Sequence, residues 1–431
     1  MKLLGKFRSA FFEEPSKSDS KKKERIFLDY ASGTSMCLQV RKELEGLLKK
    51  QSEGEFLNPS SIHAEGRRAR ELLEASRSQV ARFFSVHADE IVFTSGATEG
   101  DNIALFGVFE KALEGGIRHP HIITSVLEHP SLLEPLRALE KKGALVTFLS
   151  PDEGGNIPLS HIEEVITEET VLLCFSLVNS ELGSILPFRQ MKEILLRTKK
   201  KFSRYGTNEY PYLHIDATQA ADLLPIHPHD IGADLLSIDG GKVYGPHASG
   251  ALFVKEGTNV SALFHGGGQE RGRRSGMQNI FASVGLAKAL QISQFLREKE
   301  YKRQENLREQ FLSLLKKEIP EAKLNTKAKH FLPSIVSICF PEISAEYLSL
   351  LLDEEGVAVG VASACRRLKD GSSSAVSKIP GKEECEGSTL RFSFGRKTKY
   401  SHLRRVIFLL KRYLSLAQKG RAKKSTPRSS L

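Results

Sequence analysis

Leu236-Ser-Ile-Asp-Gly-Gly-Lys-Val-Tyr-Gly-Pro-His-Ala-Ser-Gly250 places one lysine, Lys242, just after two glycines and just before a Tyr-Gly-Pro turn. Short apolar runs flank it, Ala233 to Ile238 before and Ala251 to Val254 after, and each has the length of a buried strand. A lysine on a Gly-rich turn at a strand end lies close to backbone and partly out of water, a setting in which its amine can form a Schiff base. Upstream, His214-Ile-Asp-Ala-Thr-Gln219 reads as another short strand, ending in a carboxylate and an amide. Taken singly, Lys242 would be read as a solvated loop lysine. Its neighbours along the chain alter that reading.

Strand-Asp followed by strand-Lys is the order in which many pyridoxal phosphate (PLP) enzymes present two side chains, Asp216 here for the pyridinium nitrogen and Lys242 for the aldehyde. The rest of the chain has the pattern such an enzyme needs. Helical and strand segments alternate from Arg25 to about Val254, among them helices at 40–50 and 63–84 and strands at 90–94, 121–125, 144–148 and 171–177. This alternation predicts an α/β fold, a mostly parallel sheet between helices. After a long helix at 283–317 come strands at 334–340, 357–359 and 389–393 and a closing helix at 400–417, a smaller α+β unit. The expected division is therefore a basic extension (1–24), a large domain (25–282), a linking helix with the small domain (283–417) and a basic tail (418–431). Arg197 to Pro211 reads as a polar, basic loop.

Composition narrows the class. The sequence of 431 residues is 27% charged and 40% hydrophobic, as in ordinary globular proteins. No apolar run reaches the ~18 residues needed to span a bilayer. Much of the net charge of +11 sits at the two ends, where it makes weak evidence for nucleic acid. The first twelve residues are basic and amphipathic but lack the apolar core of a secretory signal, which makes organellar targeting a weak reading. The five cysteines are odd in number, widely spaced and free of CxxC pairs. That pattern argues against a disulfide framework or zinc site and for a reducing, cytoplasmic setting.

Other residues join the constellation, each with an ordinary reading beside the functional one. Ala97 and Thr98, in Ser95-Gly-Ala-Thr-Glu99, open a helix and could seat an anion, or simply cap it. His129 follows a strand end, where an imidazole would face a ligand crevice. Asn179 could contact cofactor or substrate, although alone it reads as a turn asparagine. Arg391 interrupts an apolar strand, suited to a carboxylate or to a structural ion pair. Cys365, in Ala362-Ser-Ala-Cys-Arg-Arg367, has two arginines to favour its thiolate, whereas Cys174 and Cys339 on apolar strands read as buried and structural.

Together these stretches resemble the cysteine desulfurases of the NifS/IscS group, within the class V aminotransferases of PLP fold type I. The resemblance runs in order from Leu28-Asp-Tyr30 through Asn58-Pro-Ser-Ser-Ile-His63, Ile91 to Glu99, Leu127-Glu-His129, Asp216-Ala-Thr-Gln219, Lys242-Val-Tyr-Gly-Pro246 and Gly266 to Gly272 to Ser363-Ala-Cys365 and Leu390-Arg-Phe-Ser393. It implies a PLP enzyme with Lys242 holding the aldehyde, Asp216 the ring nitrogen, Gln219 the phenolic oxygen, His129 stacked on the ring, and Ala97 and Thr98 at the phosphate. It implies further that Asn179 and Arg391 hold the carboxylate of L-cysteine and that Cys365 takes its sulfur. A homodimer passing sulfur to an acceptor, for iron–sulfur cluster assembly or tRNA thiolation, is implied as well, with no metal.

Three positions depart from the family. Asp239, Gly241 and Met277 stand where it carries a serine, a histidine and a threonine that contact phosphate. Either Arg273 or Arg274 takes over the phosphate, or PLP is held weakly. A divergent PLP lyase or aminotransferase, or a sulfur-relay scaffold with little catalysis, therefore stays open beside the desulfurase.

Overall fold

The computed structural model describes residues 25–202, 210–341, 343–361 and 375–424. Cys365 with its two arginines, residues 1–24 and 425–431, and the middle of the 197–211 stretch lie outside these residues.

Twelve strands occur among the described residues: β1 (Ile26–Leu28), β2 (Ile91–Thr94), β3 (His121–Ser125), β4 (Leu145–Leu149), β5 (Thr170–Ser176), β6 (Tyr212–Asp216), β7 (Leu235–Asp239), β8 (Gly250–Val254), β9 (Lys323–Leu324), β10 (Ile335–Cys339), β11 (Val357–Val361) and β12 (Thr389–Ser393). Ten helices accompany them: α1 (Leu38–Ser52), α2 (Ala64–Phe84), α3 (Ala97–Glu114), α4 (Pro130–Glu140), α5 (Leu159–Val165), α6 (Phe188–Lys201), the turn α7 (Pro228–Ile231), α8 (Ile280–Glu318), α9 (Ala345–Glu354) and α10 (Tyr400–Lys424).

The larger sheet has seven strands in the order β2-β8-β7-β6-β5-β3-β4. Only β8 runs against its neighbours; β3, β4, β5, β6 and β7 are mutually parallel. Helices cover both faces, which is why its inner strands are apolar along their whole length rather than alternating. On β5, Leu172 and Cys174 pack with α3 and α4 on one side, while Leu173 and Phe175 join α2 and α8 on the other. The smaller sheet, β1-β11-β12-β10-β9, packs on α9, α10 and the second half of α8. Strand β1, expected in the large domain, pairs in parallel with β11 and so belongs to this second sheet.

Helix α8 ties the two layers together. Asn279 caps it by accepting the N–H of Ala282. Its 39 residues span about 58 Å. Leu286 and Leu290 pack in the first core, and Leu307, Phe311 and Leu315 in the second.

The structure corrects three sequence expectations. The closing helix does not end at 417 before a disordered basic tail, since α10 continues to Lys424. The stretch from Arg197 does not begin as a loop, because α6 continues through it to Lys201. Buried Phe188, Met191, Ile194, Leu195 and Thr198 give this helix an apolar stripe at helical spacing. The cysteine reading also needs correction, since Cys339 and Cys385 form a disulfide. Pairing of Cys339 with Thr389 across β10 and β12 brings the turn at Glu383–Cys385 against the end of β10, a proximity that linear spacing conceals. Cys37 and Cys174 are free. Burial pushes the Cys174 thiol up, far from the thiolate form, as its structural reading requires.

One buried ion pair fixes the Gly-rich segment at 266–276. Arg77 of α2, 2% exposed, donates to Glu270 Oε1 and Oε2 at 2.8 and 2.6 Å and to the Ile91 carbonyl at 2.8 Å. Glu270 also accepts the N–H of Phe93 at 2.8 Å. Truncating one partner of such a pair strands a buried charge. Arg77→Ala is therefore expected to cost about 3–5 kcal/mol in urea unfolding. A loss below about 1 kcal/mol, the value of an exposed pair, would show that this segment is held by other contacts.

Candidate active site

The parallel strands β3, β5, β6 and β7 end along one edge of the large sheet, where an open α/β sheet presents its ligand crevice. A cavity of about 280 Å³ opens there. Lys242, Asp216, Gln219, His129, Thr98 and Arg391 all line it, together with Ala97. Their places follow from the topology. Asp216 is the last residue of β6, Lys242 lies one short turn beyond β7, His129 caps α4 after β3, and Ala97 and Thr98 open α3 after β2. Arg391 comes from the smaller sheet, so the cavity lies where the two sheets meet.

Lys242 Nζ donates to the carbonyls of Ala31 (3.0 Å) and Ser32 (2.6 Å), and Gln219 Nε2 donates to Ala31 as well (2.9 Å). His129 Nδ1 accepts the Ser131 N–H at 3.1 Å, which fixes the ring at the start of α4. Arg391 donates to Asp29 Oδ1 at 2.7 Å and to the Ser180 carbonyl at 3.0 Å. Arg391 thus has the ion-pair partner of its ordinary reading, and its side chain also borders the cavity. Asn179 does not line this cavity. Its Oδ1 accepts the N–H groups of Glu181 and Leu182, and its amide donates to the Leu127 carbonyl, so the side chain serves the turn.

Beneath the cavity Asp216 belongs to a buried group of acids, of which the sequence did not single out Glu128 and Asp101. Asp216 is held by the Thr218 N–H at 2.9 Å. Glu128 accepts from the Ser176 N–H and hydroxyl at 2.9 and 2.5 Å. Asp101 of α3 meets His214 Nε2 at 3.0 Å, two residues before Asp216 on the same strand face. Burial, then repulsion from Asp101, raises Asp216 well above the usual carboxylate range. Burial likewise pushes Glu128 up to about 7, against the opposing bonds from Ser176. The sequence signal for Glu128 was its place in Leu127-Glu-His129; nothing local marked Asp101.

The start of α3 is already supplied with anions. Asp239 Oδ1 accepts the Gly241 N–H at 2.7 Å, and its Oδ2 accepts the Ala97 N–H at 3.4 Å. Glu99 Oε2 accepts the Ser95 N–H at 2.6 Å, while its Oε1 holds Arg274 at 2.7 Å. Arg274 is thus bound to Glu99, and Met277 lines a separate cavity beside it. Arg273 is partly buried, which lowers its pKa.

Residues 26–406 match the family described as Aminotransferase class-V. The chain belongs to that family. A curated relative, the cysteine desulfurase IscS of Dictyoglomus turgidum, is 34% identical over 393 residues, covering 91% of this chain and 95% of its own. A putative cysteine desulfurase IscS 1 of Bacillus subtilis is 34% identical, covering 86% and 94%. Among solved structures, a NifS-like protein superposes with a TM-score of 0.81 at 28% identity, covering 91% of this chain and all of that one. The class V fold accounts for the mostly parallel sheet and for the cavity at its strand ends. No helix among the described residues is long and apolar enough to cross a membrane.

The raised acids set a pH dependence. A carboxyl whose folded pKa lies above its unfolded value binds more protons when folded, so stability falls as pH rises through that interval. Without cofactor, the protein is expected to lose stability between about pH 4 and 7, as Asp216 and Glu128 are forced to ionise. Asp216→Asn should flatten this slope in thermal melts across the range. An unchanged slope would show that Asp216 ionises freely in the folded chain.

Proposed function

We propose that the protein is a PLP-dependent L-cysteine desulfurase, which converts L-cysteine and the Cys365 thiol to L-alanine and a Cys365 persulfide. The observation that carries this reading is the convergence of Lys242 and Arg391 over a floor of buried carboxyls. Asp101, Glu128 and Asp216 are three acids with His214 as the basic group beside them, a cluster short of positive charge. A protonated ring nitrogen against Asp216 supplies that charge. The ring end of the cavity therefore fits a pyridoxal, with Lys242 at the aldehyde, Gln219 at the phenolic oxygen and His129 against the ring face.

When bound, the cofactor serves as an electron sink for the substrate's carbon skeleton. The chain's own residues do the rest. Arg391, oriented by Asp29, takes the carboxylate of L-cysteine through paired N–H donors. Asn179, whose side chain closes the neighbouring turn, supports this end by shaping it. Lys242 is the amine placed to move protons at the reacting carbon. Cys365 attacks the substrate's sulfur: the new S–S bond forms, the C–S bond breaks with its electron pair left on carbon, and a proton completes alanine.

The same reading takes the active form to be a homodimer in the cytoplasm. It hands sulfur to an acceptor protein of iron–sulfur cluster assembly or tRNA thiolation. Cys339 and Cys385, both fully buried, are shielded from soluble thiols in such a compartment.

The test is alanine release from L-cysteine. Lys242→Ala should reduce it at least about a thousandfold, as expected for loss of a covalent anchor and proton carrier. Arg391→Ala should raise KM about 10- to 100-fold, the value of a charge-assisted contact. Full activity in Lys242→Ala would overturn the assignment.

A further inference from the structure

We infer that Asp239 acts as an internal anion at the start of α3 and selects against the 5′-phosphate of the cofactor, so that this cavity takes the unphosphorylated pyridoxal ring nearly as well as PLP. The inference rests on the ring-end reading above and adds what the other end of the cavity does.

A helix N-terminus attracts an anion through its open N–H groups and its dipole. Here the first of those donors, the Ala97 N–H, is already committed. Asp239, half-buried and lining the cavity, takes the Gly241 and Ala97 N–H groups with its two oxygens. Glu99 takes the Ser95 N–H, and Arg274 is held by Glu99 in turn. Two carboxylates and one guanidinium leave this end negative before any ligand arrives. A phosphate dianion entering it would meet like charge from Asp239 and find the Ala97 N–H already bonded.

The surrounding residues are built around this carboxylate. A Cβ on Gly96 would stand 2.8 Å from Asp239 Oδ2, so a larger residue there would push the carboxylate off this turn. A Cβ on Gly241 would come within 3.0 Å of both Asp239 Oδ1 and His247 Nδ1. A larger residue at 241 would therefore require Asp239 and His247 to give by a few tenths of an ångström. The aspartate and the glycine form one coupled arrangement.

The experiment titrates the full-length protein with PLP and, separately, with pyridoxal. It follows absorbance, then traps the adduct with borohydride and locates it by mass spectrometry, using wild type, Asp239→Ser and Asp239→Asn. The expected result is attachment of both aldehydes to Lys242, with PLP binding at least about tenfold tighter in both variants than in wild type. Pyridoxal affinity should stay within about twofold across the three proteins. The asparagine keeps an acceptor for the Gly241 N–H, so it tests charge even if the serine variant folds poorly. Unchanged PLP affinity in both variants, or wild-type PLP binding far tighter than pyridoxal, overturns the role of Asp239. Attachment of neither aldehyde to Lys242 in any of the three overturns the ring-end reading, and this inference with it.

Discussion

The burial of Asp216 at the end of β6 is the constraint on which the site depends. A carboxyl taken out of water beside Asp101 and Glu128 is costly to ionise, and the sheet places it there because β6 is a central strand covered on both faces. The free energy of that arrangement is recovered when a cation docks against it. A protonated ring nitrogen is such a cation, and the cavity of about 280 Å³ above is bordered by Asp216, Lys242 and His129. The packing of the large sheet thus decides where a ring would lie and which way it would face, and Lys242 one turn beyond the adjacent strand decides which atom it would meet.

The two ends of the cavity solve opposite electrostatic problems. At the floor, excess negative charge calls for a cationic ligand. At the start of α3, a positive helix end has been given a carboxylate of the protein's own. The Arg77–Glu270 pair stands behind this second end, since it holds the 266–276 segment from which Arg274 reaches Glu99. Stability and ligand preference are linked through these buried charges rather than through the apolar core.

Much of this was legible in the sequence. The strand pattern around Asp216 and Lys242 and the glycine-lysine turn placed both residues on one cavity, because strand ends in a parallel sheet share an edge. Features that depend on contacts between distant segments were not legible. Strand β1 joins the smaller sheet through β11, more than three hundred residues away, and no local pattern records that pairing. The Cys339–Cys385 bond arises from the register of β10 on β12. Asp239 could be seen in the sequence as a departure from the family, but its grip on the Ala97 and Gly241 N–H groups needed the fold. Asn179 shows the reverse: its local turn chemistry, readable from sequence, prevailed over a ligand role.

The most direct measurement of the central claim is the mass of the Cys365 peptide after the PLP-loaded protein has been mixed with L-cysteine and quenched by alkylation. The account predicts an added sulfur atom on Cys365, absent when L-alanine replaces L-cysteine and absent in Lys242→Ala. Turnover of L-cysteine with Cys365 unmodified at every time point would contradict it, and would assign the cavity to a different reaction on the same amino acid.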